Sequence, residues 1–238
     1  MRDAIYYFVM VPMVYGAAAI FISGLLFKLM VAVFSPGIKG KLGLYPRKLP
    51  FIAGVAKDAF LISSAFKKDK LLWFFVMAFH ASFILLFLGH LELIRNFDFL
   101  QIIPHNVFLG SGVVGIVLIV ATLYFLFRRF RSPWREISVP EDFLLLLTLF
   151  VAMLFGSHMH LAARYGIAGF DIPLEDYRAY LWGLVTLKPV LPDGITFSPH
   201  YIIVVLHVFF ANLFIMLFPF SKMIHSVFAF FGQSLKRK

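Results

Sequence analysis

Apolar residues run along this chain in long, nearly unbroken blocks, with polar and charged residues gathered between them. Five blocks are long enough to cross a bilayer as helices, at about 5–27, 71–91, 106–127, 143–163 and 201–220. A span of hydrocarbon takes roughly 20 residues at about 1.5 Å of rise each. One intervening stretch has a different rhythm. From position 50 onward, Ile52, Val55, Ala59, Ile62 and Phe66 recur on one helical face, and Lys57, Ser64 and Lys68 on another. That is the pattern of a helix lying in the membrane surface. Lys67-Lys68-Asp69-Lys70 ends it and opens the second spanning block. The long loops are 35–70 and 164–199, the latter semi-polar and carrying Tyr177, Tyr180 and Trp182, amphipathic rings suited to an interface. The expected fold is an all-α integral membrane protein, a single domain over 1–238 with five transmembrane helices.

Composition agrees with the pattern. Hydrophobic residues make up 61% of the chain, charged residues 14%, and mean hydropathy is +0.90, against about 25% charged for a soluble domain. No cleaved signal peptide is expected, because only Met1-Arg2-Asp3 precede the first block and that block is too long for a signal core. There is no cysteine. That excludes cysteine-ligated iron–sulfur clusters, covalent attachment of c-type haem, disulfides and a nucleophilic thiol, so any haem is held non-covalently.

The net charge of +10 is unevenly placed. Seventeen of the 22 lysines and arginines fall in 28–70, 128–135 and 222–238, on a side that carries five acids (Asp58, Asp69, Glu136, Glu141 and Asp142); the other five bases (Arg2, Arg95, Arg164, Arg178 and Lys188) share the opposite side with seven acids. The basic side is cytoplasmic by the positive-inside rule, which places the N-terminus outside and the C-terminus in the cytoplasm. The charge is therefore a property of one membrane face, fitted to anionic lipid or an acidic partner protein rather than to nucleic acid.

Histidines carry the candidate chemistry. His80 and His90 lie ten apart on the second block, and His207 and His225 eighteen apart on and just beyond the fifth. Ionisable residues within a bilayer are costly and point to function. With Lys70 at the inner surface, His80 sits ~15 Å and His90 ~30 Å along the helix. The fifth helix runs the other way, so His90 and His207 form an outer pair and His80 and His225 an inner pair. Each pair could clamp one haem iron from both sides. Straight helices do not bring both pairs together, because eighteen residues span ~27 Å and ten span ~15 Å while turning the second ring ~80° round. Pro219, which frees the carbonyl of Ile215, should bend or unwind the inner end of the helix.

Other residues hold weaker signals. His105, His158, His160 and His200 gather at the outer ends with Glu92, Arg95 and Asp171, and histidine titrates in the range a proton acceptor needs. The ordinary alternative for each is a hydrogen-bonded helix-end residue. Gly110-Ser111-Gly112-Val113-Val114-Gly115 matches G-x-G-x-x-G, but no strand precedes it, so a dinucleotide site is excluded and close approach of a helix or a flat cofactor is expected instead.

The run His207 to His225 with its Phe-Pro-Phe-Ser-Lys turn, the ten-residue spacing of His80 and His90, and the pair Arg128-Arg129 resemble the gamma (cytochrome b) subunit of respiratory nitrate reductases over about 70–226. That resemblance implies two b haems, ligated by His90 with His207 and by His80 with His225. It also implies that quinol from the membrane pool, menaquinol or similar, is oxidised beside the outer haem and that electrons pass inward. His105 lies near the position of a family lysine implicated in quinol binding, which has no lysine counterpart here; with His158 and His160 it makes the candidate catalytic set. The long loops resemble membrane subunits of sulfite-reductase-linked and heterodisulfide-reductase-type complexes, whose cytoplasmic partner is an iron–sulfur protein; here it would dock on the basic loops. The implied class is a quinol dehydrogenase subunit of the inner cell membrane. Two other readings stay open: a transporter or proton channel with a histidine relay, which would want inverted repeats or broken helices at the midplane, and a haem-free membrane anchor.

Overall fold

In hydrocarbon a helix satisfies its own backbone groups, and the apolar blocks accordingly fold as helices. The structure, a computed structural model, describes residues 2–34, 51–95, 97, 112–225 and 227–229. Among these no strand occurs. The order is α1 (Arg2–Met10), α2 (Pro12–Phe34), α3 (Phe51–Leu61), α4 (Ser63–Lys68), α5 (Lys70–Ile94), α6 (Val113–Arg129), α7 (Trp134–Ile137), α8 (Pro140–Arg164), α9 (Leu174–Val185), α10 (Asp193–Thr196) and α11 (Tyr201–Leu217), then two 3-10 turns, Phe218–Phe220 and Lys222–Ile224.

Four stretches are long and apolar enough to span a membrane: Asp3–Ala32, Lys70–Ile94, Pro140–Arg164 and Tyr201–Phe220. The remaining expected span, 106–127, is described from residue 112 onward, and α6 covers 17 residues of it and its continuation. Helix α8 packs on α11, α6 touches both α5 and α8, and α2 lies along α11. Phe79, Leu118, Leu149, Met153 and Phe214 meet in the core of this bundle. The outward faces are apolar too: Phe74 and Phe87 of α5, Leu144 and Leu147 of α8 and Ile202 of α11 are exposed, as a lipid-facing surface requires.

The glycine-rich stretch serves packing. A side chain at Gly115 would run into the Ser157 hydroxyl of α8, and Gly112, at φ 91°, is pressed against Leu161 of α8. Small residues here let the two backbones approach. Gly110 lies outside the described residues.

Pro12 divides the first span. It has no N–H, and the Val14 N–H bonds the Val11 carbonyl at 3.1 Å, so a turn of helix loses its regular pairing. Distant side chains fill in: the Tyr180 hydroxyl donates to Met10 O at 2.7 Å and the Asn212 amide to Val9 O at 3.2 Å. Both side chains are buried. Burial raises the Tyr180 phenol well above its usual pKa, with Tyr201 and Tyr15 adding to the effect, so it stays a donor. Tyr180→Phe therefore leaves a buried carbonyl without this donor and should cost about 1–3 kcal/mol. The check is thermal unfolding of the detergent-solubilised protein; an unchanged Tm would show that the contact contributes nothing.

The surface stretch after position 50 is helical in two pieces rather than one. The break is Ile62, at φ 43°, a left-handed conformation that a β-branched residue adopts only under constraint. Asp69 does what its place in the charged run suggests, capping α5 by accepting the Leu72 N–H at 2.9 Å.

Candidate functional site

Helices α5 and α11 bring the four singled-out histidines together in twos. The rings of His90 and His207 stand 6.4 Å apart between centroids with 27° between their planes; those of His80 and His225 stand 6.3 Å apart at 65°. Each ring is turned by a bond from Nδ1 to a backbone carbonyl: His80 to Val76 at 2.7 Å, His90 to Leu86, His207 to Ala152 and His225 to Lys222, each of these three at 2.8 Å. A carbonyl only accepts, so these contacts place the proton on Nδ1 and leave Nε2 with a free lone pair.

The spacing mismatch is resolved in the turns. Helix α11 ends at Leu217, ten residues after His207, which matches the ten between His80 and His90. The other eight residues to His225 are spent in the two 3-10 turns. Pro219 and Ser221 set that path: the Ser221 hydroxyl donates to Phe218 O at 2.8 Å and accepts the Met223 N–H at 3.1 Å. Gly24 of α2 makes room, since a Cβ there would lie 2.7 Å from Pro219 Cβ. Gly156 of α8 does the same for His207, whose Cε1 and Nδ1 would lie 2.9 and 3.1 Å from an added Cβ.

Among the described residues no group of three or more His, Asp or Glu side chains is arranged to hold a bare metal ion. Two neutral imidazoles facing one another suit an iron whose other ligands come from a flat macrocycle. Two metal–nitrogen bonds of about 2 Å and the near halves of two rings span roughly 6 Å, close to both observed separations. The donor sets thus fit b-type haem, and His80, His90, His207 and His225 are the residues that could hold it.

The other predicted histidines divide. His158 meets the edge of Phe170 at 5.2 Å, and His200 stacks on the same ring at 4.1 Å while its Nε2 bonds Ala168 O at 3.2 Å. His160, two residues along α8, lies beside Gly112, which precedes α6. Arg95 sits over Trp182 at 5.8 Å. His105 lies outside the described residues.

The family model described as nitrate reductase gamma subunit matches residues 61–237. The chain belongs to that family. It is a multi-pass membrane protein, as its family and its four long apolar helices agree. One curated relative, named an Hdr-like menaquinol oxidoreductase cytochrome b-like subunit, from Archaeoglobus profundus, is 28% identical over 164 residues, covering 65% of this chain and 46% of the relative. The chain spans about half the length of that relative.

Sequence reasoning overlooked Gly156 as the seat of the His207 ring. The one available signal was a glycine inside an otherwise bulky apolar helix, which costs about 1 kcal/mol relative to alanine and so usually has a packing reason. It also missed what Asp142 does. Its side chain is 4% exposed, with Arg129 Nη1 at 3.1 Å and Lys222 Nζ at 2.6 Å on the same oxygen.

Proposed function

We propose that this chain is the quinol-oxidising di-haem subunit of a larger respiratory complex, with five spans, the N-terminus outside and the C-terminus in the cytoplasm. The observation that carries the proposal is the double pairing of His90 with His207 and His80 with His225, each ring with Nδ1 engaged and Nε2 free. Two b haems held there would supply one-electron carriers at two depths in the membrane. The relative's name speaks of menaquinol, which supports a quinol of that kind as the donor. His158, His160 and His105 are the candidate proton acceptors at the outer end, releasing protons outside. The basic segments 28–70 and 128–135 would face an acidic iron–sulfur partner in the cytoplasm.

A proton relay is a poorer use of the same rings. Passing a proton along needs both nitrogens in the chain of hydrogen bonds, and a backbone carbonyl on Nδ1 is a dead end for it. A haem-free anchor leaves two facing imidazole pairs without a role.

The direct test is a reduced-minus-oxidised spectrum of membranes carrying the protein. A b-type difference band that a menaquinol analogue also produces is the expected result; a protein with no b-type band sinks the proposal. His158→Ala, and separately His105→Ala, should slow reduction by the quinol analogue at least tenfold while dithionite still develops the full band. Quinol reduction at the wild-type rate would remove the residue concerned from the site.

A further inference from the structure

At the end of the bundle that carries His225, one carboxylate oxygen ties three elements together. Asp142 Oδ2 receives the Arg129 guanidinium at the end of α6 (3.1 Å), the Lys222 ammonium in the turn after α11 (2.6 Å) and the Val139 N–H at the start of its own helix α8 (3.2 Å). Arg129 also donates to Ser138 Oγ at 3.2 Å. Lys222 in turn reaches Ile137 O at 3.4 Å, and its own backbone carbonyl is the acceptor for His225 Nδ1 at 2.8 Å. The side chain of Lys222 is thus anchored to α8 and its main chain holds the ring.

This arrangement is needed because of how His225 is carried. His80, His90 and His207 project from regular helices, whose backbone bonds fix where a ring starts. His225 follows two short 3-10 turns, whose hydrogen-bond geometry is poorer than an α-helix's and holds an imidazole less firmly. A nearly buried carboxylate shared by two cations ties together the elements that carry them through charge-assisted hydrogen bonds. Ligand rings are commonly oriented through the group behind them, and changing that group alters the metal's properties.

We infer that Asp142 is a positioning residue for the inner haem: through Lys222 it sets the plane of the His225 imidazole, and the Arg129–Asp142–Lys222 cluster is the inner counterpart of the groove at Gly156 that seats His207. The inference rests on reading His80 and His225 as ligands. It predicts an effect on one haem and not the other.

The test is electron paramagnetic resonance of the oxidised protein in its membranes, where a low-spin ferric haem reports the orientation of its two imidazole planes. His225→Ala first identifies the inner signal as the one that disappears. Asp142→Asn, which keeps the shape and removes the charge, should then displace the g-values of the inner signal and leave the outer signal in place. Lys222→Met, which cuts the tie while leaving Asp142 paired with Arg129, should displace the same signal, and Lys222→Arg should restore it. An inner signal unmoved in both Asp142→Asn and Lys222→Met overturns the inference. So does an equal displacement of both signals, or failure of both variants to accumulate in the membrane, because each means that the cluster supports the bundle as a whole. A wild-type protein with no low-spin haem signal would instead overturn the ligand reading beneath it, which separates the two failures.

Discussion

His207→Ala should abolish the outer haem and spare the inner one, roughly halving the haem bound per chain, while His225→Ala should do the reverse. The expectation follows from how the rings are held. His207 is anchored from behind by Ala152 O and faces His90 across 6.4 Å, so its removal leaves one imidazole opposite a cavity. A b haem held there would have no covalent tether in a chain without cysteine, so His90 and His207 would supply its principal strong bonds to protein. The inner pair draws on different carbonyls and a different segment of chain, Lys222–Ile224 with its cap His225, and should be insulated from the change. Haem content by pyridine haemochromogen, with the two low-spin signals followed separately, is the measurement. Free imidazole, small enough to enter the vacated space, should restore part of the outer signal in His207→Ala. Unchanged haem content in both variants would remove these residues as ligands, and rescue would show that the fold survived the substitution.

Much of this was legible in the sequence because a bilayer leaves few options. Continuous apolar blocks of about twenty residues must be helices, and four of the five expected blocks are found as helices long enough to span, the fifth being described only from residue 112. The pairing of histidines followed from the alternating direction of successive helices, which needs no knowledge of packing. What the blocks could not reveal was how eighteen residues on one helix match ten on another. Straight-helix arithmetic gave a mismatch of roughly 12 Å, and the resolution lies in where regular helix stops. Pro219 marked that place in the sequence, but Ser221, Gly24 and the tie from Lys222 to Asp142 shape the path beyond it. The last two join positions nearly 200 and 80 residues apart, and no local pattern announces them. The break at Ile62 is a similar case: periodicity runs straight through it, and an apolar β-branched residue is the last that local chemistry would choose for a left-handed turn.

Gly156→Val should displace the His207 ring and cost the outer haem without any ligand being removed. A Cβ at this position lies 2.9 Å from His207 Cε1 and 3.1 Å from Nδ1, closer than carbon and nitrogen normally approach, and the contact is with a ring already bonded at 2.8 Å to Ala152 O one turn earlier on the same helix. The ring cannot simply slide away along α8 without giving up that bond. Overpacking of this kind typically costs about 1–3 kcal/mol. Alanine makes the sharper comparison, because two effects there have opposite signs. Taken alone, Gly→Ala inside a helix is favourable by about 1 kcal/mol through backbone entropy. If the ring must yield, Gly156→Ala instead loosens or shifts the outer haem signal despite the better helix former. The graded series Gly, Ala, Val should therefore lower outer haem occupancy stepwise, with the inner signal constant throughout. A Gly156→Ala protein that is more heat-stable and keeps an unaltered outer signal would show that the groove is only helix packing and that the His207 ring has room to spare.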